Sequence, residues 1–206
     1  MDDSELGSIK RPNGVTTVTA SVGLLNTYEY QSSYRGTTYG NGYLNNGLNW
    51  WTLTPYNTSN IQYFLYNGNV DNYASLGASG VRPSINLKSD VTIVDGDGTV
   101  DNPYRLMGDN DANLSGTFLN TRYSGEYIRF GNDENNLYRI VSHETDGLTK
   151  ITSAEPLKNN GEFITSEFGN NEAFSSENII GLFLNGEYLE KYIDSTYNDM
   201  IEDNTT

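Results

Sequence analysis

The chain has 206 residues, with 27 acidic and 12 basic side chains, one histidine and no cysteine. That length holds one large domain or two small ones, and a chain of this size buries roughly 70 % of its unfolded surface without staples. The missing cysteines exclude disulfides, thiolate catalysis and thiolate metal sites, and a lone His143 excludes a multi-histidine metal centre.

The formal charge of −15 argues against nucleic acid and anionic membranes as partners, since both are polyanions. No apolar run approaches the roughly 20 residues that span a bilayer, and no basic segment followed by an apolar one opens the chain. The expectation is an exported protein of a bacterial cell surface, with its leader removed or the chain an excised piece. Asn, Thr, Gly and Tyr number 27, 20, 21 and 16. That mix suits a β- and loop-rich fold in which tyrosines bury their rings and keep their hydroxyls paired or wet.

Charge divides the chain. Residues 1–108 carry a net −3 and residues 109–206 a net −12, with the polar stretch Gly108–Asn113 at the join. The first portion shows little helical pattern. Tyr39-Gly40-Asn41-Gly42, Tyr66-Asn67-Gly68-Asn69 and Asp95-Gly96-Asp97-Gly98 supply the positive φ that tight turns need. Between them, Ile61–Tyr66, Ser84–Leu87 and Val91–Val94 are strand candidates, and Pro55, Pro83 and Pro103 limit strand extension. The second portion begins with a predicted hairpin, Tyr127–Phe130 and Leu137–Ser142 across Gly131–Asn136, followed by a third strand, Leu148–Ser153. Cap candidates at Ser175–Asn178 precede Ile179, Ile180, Leu182, Phe183 and Leu184, and Leu184, Tyr188, Leu189 and Tyr192 recur at three to four as an apolar helical stripe, weakened at Gly186. Tyr197–Ile201 starts a further turn.

Several motifs allow a functional and a structural reading. Adjacent Trp50 and Trp51 point to opposite faces of a strand. Either one ring is exposed for sugar stacking, or one anchors the core and the other lies under a loop; the second is the expectation. Arg82 in Gly80-Val81-Arg82-Pro83 either binds an anion or, half buried, forks onto backbone carbonyls or an acid to fix a loop; again the structural role is expected. Asp95, Asp97 and Asp101, and Asp109, Asp111 and Asn113, form oxygen-rich segments of the kind calcium favours, but neither places Gly and Glu where a helix–loop–helix calcium site requires them. They read as a β-turn and a solvated linker; no cofactor is expected, with calcium kept as the alternative. His143 reads as an exposed, inert histidine. No Gly-x-Ser-x-Gly elbow and no phosphate-binding glycine loop occurs. Lys10, Lys88, Lys150, Lys158 and Lys191 coexist with many asparagines, which allows a Lys–Asn isopeptide staple.

Taken together, Gly23-Leu24-Leu25, Tyr28-Glu29-Tyr30, Trp50–Pro55 and Gly80–Leu87 resemble the C-terminal portion of a C-type-lectin-like domain, in a version repeated in surface proteins of Firmicutes and relatives and of unknown function. Asp95–Leu106 resembles the tail of that unit. Gly116–Phe130, Tyr138–Val141, Gly147–Ser153 and Phe183–Leu189 resemble its N-terminal portion, so the two halves stand in reversed order over about one repeat. In that repeat an Asp-Asn-Thr-Thr segment, like Asp203–Thr206 here, runs on into residues that Leu6–Ile9 resemble.

The resemblance implies an α+β, C-type-lectin-like fold: a loop-rich antiparallel sheet with two short helices, circularly permuted or split between neighbouring chains. The calcium-lectin motifs Glu-Pro-Asn, Gln-Pro-Asp and Trp-Asn-Asp are absent, and the enzymes sharing this broad fold need cysteines or three histidines. The expected function is therefore a non-enzymatic extracellular surface, adhesin or fibre-forming module. Its partners would be other copies or adjacent repeats, assembled head-to-tail by strand complementation. The alternative is a module that binds a glycan or host surface protein through long loops between Asn26 and Ser79, with Tyr56, Tyr63, Tyr66 and Tyr73 as candidate contacts.

Overall fold

The structure, a computed structural model, describes residues 18–34, 41–170 and 174–205. Leu6–Ile9, Lys10, Tyr39-Gly40 and Thr206 lie outside them.

Among its described residues the first portion opens with β1 (Thr19–Ala20) and β2 (Val22–Leu24), then a short helix, α1 (Thr27–Ser32). Asn26 caps that helix by accepting from the Glu29 backbone N–H at 2.8 Å, and the Glu29 carboxylate accepts from the Asn26 N–H at 2.8 Å. This reciprocal capping box stabilises a helix too short to persist alone. It is also a helix in a portion expected to lack one. There follow β3 (Trp50–Pro55), β4 (Asn60–Phe64), β5 (Val70–Ala74), β6 (Ala78–Gly80), β7 (Pro83–Leu87), β8 (Thr92–Asp95) and β9 (Tyr104–Leu106). The prolines act as expected: Pro55 closes β3, Pro83 opens β7 and Pro103 immediately precedes β9. Strand β4 stops two residues before Tyr66, because Gly68, at φ +84°, turns the chain and donates its N–H to Leu65 O at 2.8 Å.

The second portion contributes β10 (Thr117–Phe118), β11 (Tyr127–Arg129), β12 (Leu137–His143), β13 (Thr149–Ser153), β14 (Lys158–Asn159), β15 (Glu162–Phe163) and β16 (Thr165–Glu167). A helical run covers 179–191 as α2 (Ile179–Phe183), a π-helical turn at Leu184–Tyr188 and α3 (Leu189–Lys191); a 3₁₀ turn comes next at Ser195–Met200, and β17 (Asn204–Thr205) pairs with β1. Of the four cap candidates, Asn178 does the capping, accepting from Gly181 N–H at 2.9 Å. Gly186 sits inside the π turn with open space around it.

Two sheets carry the fold. An eight-stranded sheet runs β10-β8-β9-β11-β12-β13-β7-β2, and a five-stranded sheet runs β16-β6-β3-β4-β5. Strands from both sides of residue 108 alternate in the first sheet: β9 joins β11, and β13 joins β7 with Ile151 opposite Ile85. The second sheet likewise gains β16, with Ser166 opposite Ser79. The architecture is α+β and loop-rich. It is not purely antiparallel, since β9 lies parallel to β11 and β3 parallel to β6 at Trp50 and Gly80. The stretch 26–79, expected as long loops, holds α1 and most of the five-stranded sheet.

The main core gathers Val22, Trp51, Ile85, Ile128, Tyr138, Ile151, Phe168, Leu184 and Tyr188. A smaller core on the other face of the five-stranded sheet contains Leu25, Tyr30, Leu44, Trp50, Phe64 and Val141. Lys150 pairs with Glu29 in a largely buried position, fastening α1 to β13. Among the described residues no helix is long and apolar enough to cross a membrane.

Candidate functional site

Both tryptophans are buried, and each anchors a different core. The expectation that one would lie under a loop is corrected by the position of β3, which is sandwiched between two apolar layers. Trp51 donates its indole N–H to Ser166 O at 2.7 Å. Tyr63 and Tyr73 share its face of the sheet, with ring centroids 6.1 and 6.0 Å from Trp51. Tyr63 is half-buried in that stack, while Tyr73 is exposed on its outer side. Tyr56 and Tyr66 are exposed at opposite ends of β4. The four tyrosines thus form one aromatic pair and two separated rings, not a single platform.

Arg82 is fully buried rather than half-buried. Its Nε donates to Ser153 O and its Nη1 to Leu44 O, both at 2.7 Å, and the guanidinium carbon lies 4.6 Å from the Trp50 ring centroid. Burial pulls its pKa down to about 9, and neighbouring Arg139 adds to that pull; the charge persists at neutral pH. Gly80 is required beside it, because a Cβ there would approach Asn49 O to 2.6 Å. Pro83 is buried at the start of β7, and its carbonyl accepts from the Thr152 hydroxyl at 2.9 Å. The motif therefore stitches β7, β13 and the 41–49 loop together.

His143 is half-buried, not free in solvent: Nε2 lies 2.7 Å from Arg122 O and Nδ1 lies 3.1 Å from Thr149 Oγ1. The Asp97 carboxylate accepts from the Thr99 N–H and hydroxyl within the β8–β9 turn. The join at 108–113 is not a loose linker: Asp111 accepts from Arg105 at 2.6 Å and from the Gly108 N–H at 2.9 Å across a 3₁₀ turn. Those hydrogen bonds hold the Asp111 carboxyl below its usual pKa, Arg105 being the larger cause. Among the described residues no group of three His, Asp or Glu side chains is placed to hold a metal. Lys88 donates to the Asp199 backbone carbonyl, and Lys150, Lys158 and Lys191 donate to the carboxylates of Glu29, Glu155 and Glu187.

A cleft of about 480 Å³ opens where the 41–49 loop faces β11, β12 and the residues after β13. Arg139 lines it. The guanidinium carbon stands 4.1 Å from the Tyr127 ring centroid and 5.7 Å from that of Tyr43, and Nη1 donates to Tyr43 O. Tyr43 is itself fixed by donating its hydroxyl to Val141 O at 2.9 Å. Asn46 reaches across to Ala154 O at 3.3 Å, and Asn135 exchanges hydrogen bonds with the Lys158 backbone at 2.8 and 2.9 Å. On the rim, Lys158 pairs with Glu155 at 2.6 Å. A second hollow continues past the Tyr43 and Tyr127 rings toward Gly98, Tyr123 and Gly125.

Three buried donors here lack partners among the described residues: Arg139 Nε, Ser153 Oγ and Arg82 Nη2. Arg139 and Ser153 line the cleft, and Arg82 lies behind Ser153, bonded to its carbonyl. Each unmet buried donor costs about 1–3 kcal/mol. A polar, aromatic-sided cleft is suited to hold a ligand by hydrogen bonding and ring contact.

A family model described as a domain of unknown function, DUF6273, matches residues 6–89. No match was found among curated proteins or among solved structures. The DUF6273 match covers Trp50–Pro55, Gly80–Leu87 and the 41–49 wall of the cleft, and ends before Tyr127, Arg139 and Ser153.

Sequence reasoning did not single out Tyr43, Tyr127, Arg139 or Ser153. Arg139 looks like an outward-facing strand residue, and its contact with Tyr43 spans 96 positions. The available signal was an arginine alternating with Tyr138 and Ile140 in a strand whose neighbour strand, β11, begins with tyrosine.

Proposed function

We propose that this chain is a non-enzymatic, extracellular surface module of the C-type-lectin-like kind, with its halves in permuted order, adhering to a partner through a saccharide held in the Arg139 cleft. The observation that carries the reading is that the cleft is walled by both portions of the chain, with Tyr43 from the first and Tyr127 and Arg139 from the second. Tyrosine rings beside asparagine and serine groups are suited to sugar faces and hydroxyls. The alternation of strands from both portions in one sheet is what complementary pieces of a single body would give. The test is a glycan array probed with the intact chain: binding to at least one glycan class, weakened at least tenfold by Tyr127→Ala, is expected. An array with no bound glycan overturns the reading.

Head-to-tail assembly is the second reading, and one edge strand favours it. Strand β5 ends the five-stranded sheet. Leu65 N–H bonds to Asn69 O and Ser75 N–H to Ser59 O, so Asp71 and Tyr73 face β4, and the backbone of Val70, Asn72 and Ala74 faces outward. An added strand would complete that edge, and a contact between unlike surfaces propagates. Mass by light scattering would rise with concentration; a monomer throughout excludes this assembly.

A further inference from the structure

We propose that Lys150 and Asn86 become joined by an isopeptide bond, formed by the folded chain itself with Glu29 as the acid–base group. The inference is independent of what the Arg139 cleft binds. Strand β13 lies antiparallel to β7, with Lys150 directly opposite Asn86. The Asn86 carbonyl accepts from the Glu202 N–H at 2.9 Å on the far side of β7, next to the bridge between Leu87 and Ile201. Asn86 therefore turns its backbone groups away from β13, and the two residues form a non-hydrogen-bonded pair. In such a pair the side chains share one face and stand closest, with Cβ atoms about 4.5–5.5 Å apart. The neighbouring pair, Ile85 and Ile151, takes the opposite face and enters the main core.

Burial singles out this lysine. The side chains of Lys150 and its partner Glu29 are 14 % and 13 % exposed, whereas Lys158 and Lys191 meet their carboxylates with 27 % and 64 % of the lysine exposed. Asn86 is buried too, and its Oδ1 has no hydrogen-bond partner among the described residues. A buried amide oxygen without a partner is a cost in a purely structural residue. Here it leaves the carbonyl free to be polarised beside an amine that already touches a carboxylate.

The step needs no co-reactant. Glu29 takes a proton from the Lys150 ammonium, which frees the Nζ lone pair. Nζ then attacks Cγ of Asn86, the Cγ–Nδ2 bond breaks, and the new Nζ–Cγ amide forms. One ammonium proton stays on the new amide; the others pass by way of the Glu29 carboxyl to Nδ2, which leaves as ammonium ion. Glu29 ends as it began. Holding amine and amide on facing strands supplies the proximity that the same groups lack in free solution. The bond would tie the first portion of the chain to the second, as no disulfide can in a chain without cysteine.

The test is the mass of the intact chain, denatured after prolonged incubation in the folded state. It is expected to fall short of the sequence mass by one ammonia, and a protease digest should contain a branched peptide joining residues 86 and 150. Asn86→Ala and Lys150→Arg should each restore the full mass and abolish the branched peptide. Glu29→Gln retains an acceptor for the helix cap but cannot carry the proton, so it should keep a cooperative melt and show the full mass. A full mass in the parent chain overturns the proposal. So does a deficit that persists in Asn86→Ala, because ring closure at an Asn-Gly pair such as Asn67-Gly68 also expels ammonia. A branched peptide that survives in Glu29→Gln overturns the role given to Glu29.

Discussion

Trp50 and Trp51 are consecutive residues whose rings belong to different cores, Trp50 packing on Tyr30 and Phe64 and Trp51 on Phe168. The strand that carries them separates two apolar layers, so their energies should be independent. Truncation of either to Ala is expected to cost about 3–5 kcal/mol. The milder pair Trp50→Phe and Trp51→Phe should combine additively, with a coupling below about 0.5 kcal/mol in a urea double-mutant cycle. A coupling well above that would mean that the two cores melt and repack as one.

Arg82 is a buried charge held by backbone carbonyls and one aromatic ring. Arg82→Ala removes two charge-assisted bonds and leaves the carbonyls of Ser153 and Leu44 unpaired, so a loss of about 3–5 kcal/mol is expected. Arg82→Lys keeps the charge but cannot fork to both carbonyls, and should recover only part of that loss. Denaturant melts decide it; a lysine variant as stable as the parent would show that the fork geometry is dispensable.

Much of the strand content was legible because turn chemistry and prolines bracket it. The Asn67-Gly68 turn, Pro83, and the Gly131–Asn136 hairpin loop each bound an observed strand. The helix at 27–32 carried its signature, Asn26 and Glu29, but six residues are too few to show an apolar stripe. The parallel pairing of β9 with β11 left no local trace, since no crossover helix separates them. The cleft was hidden for the same reason: its residues converge only once β11 and β12 have joined the sheet and the 41–49 loop has closed over them.

The π turn gives Asn185 a specific task. Its side-chain amide accepts from the Val22 N–H and donates to Val22 O, both at 3.0 Å, imitating a ninth strand on the outer edge of β2. Such a plug blocks edge-to-edge pairing. Asn185→Ala should lower stability by about 1–3 kcal/mol through the two unpaired Val22 groups, and should promote self-association. Thermal melts and sedimentation velocity test both effects. A stable, monomeric variant would show that water serves that edge equally well.

Alkali should unfold the protein by way of Tyr138 and Tyr188. Their hydroxyls hydrogen-bond each other between β12 and the π turn, and both side chains are fully buried. Burial raises both phenol pKa values above the usual 10.0, most strongly at Tyr188. The folded state therefore holds these protons where the unfolded chain would release them. Stability from this source is fully present below pH 10 and falls as pH rises above it, because the unfolded chain then gains by ionising. Unfolding free energy measured from pH 8 to 12 should drop with increasing slope past 10. Tyr138→Phe with Tyr188→Phe should flatten that slope, although the pair also loses its mutual bond, worth about 1 kcal/mol at neutral pH. An unchanged alkaline slope in the double variant would assign the effect to other raised phenols, such as half-buried Tyr197.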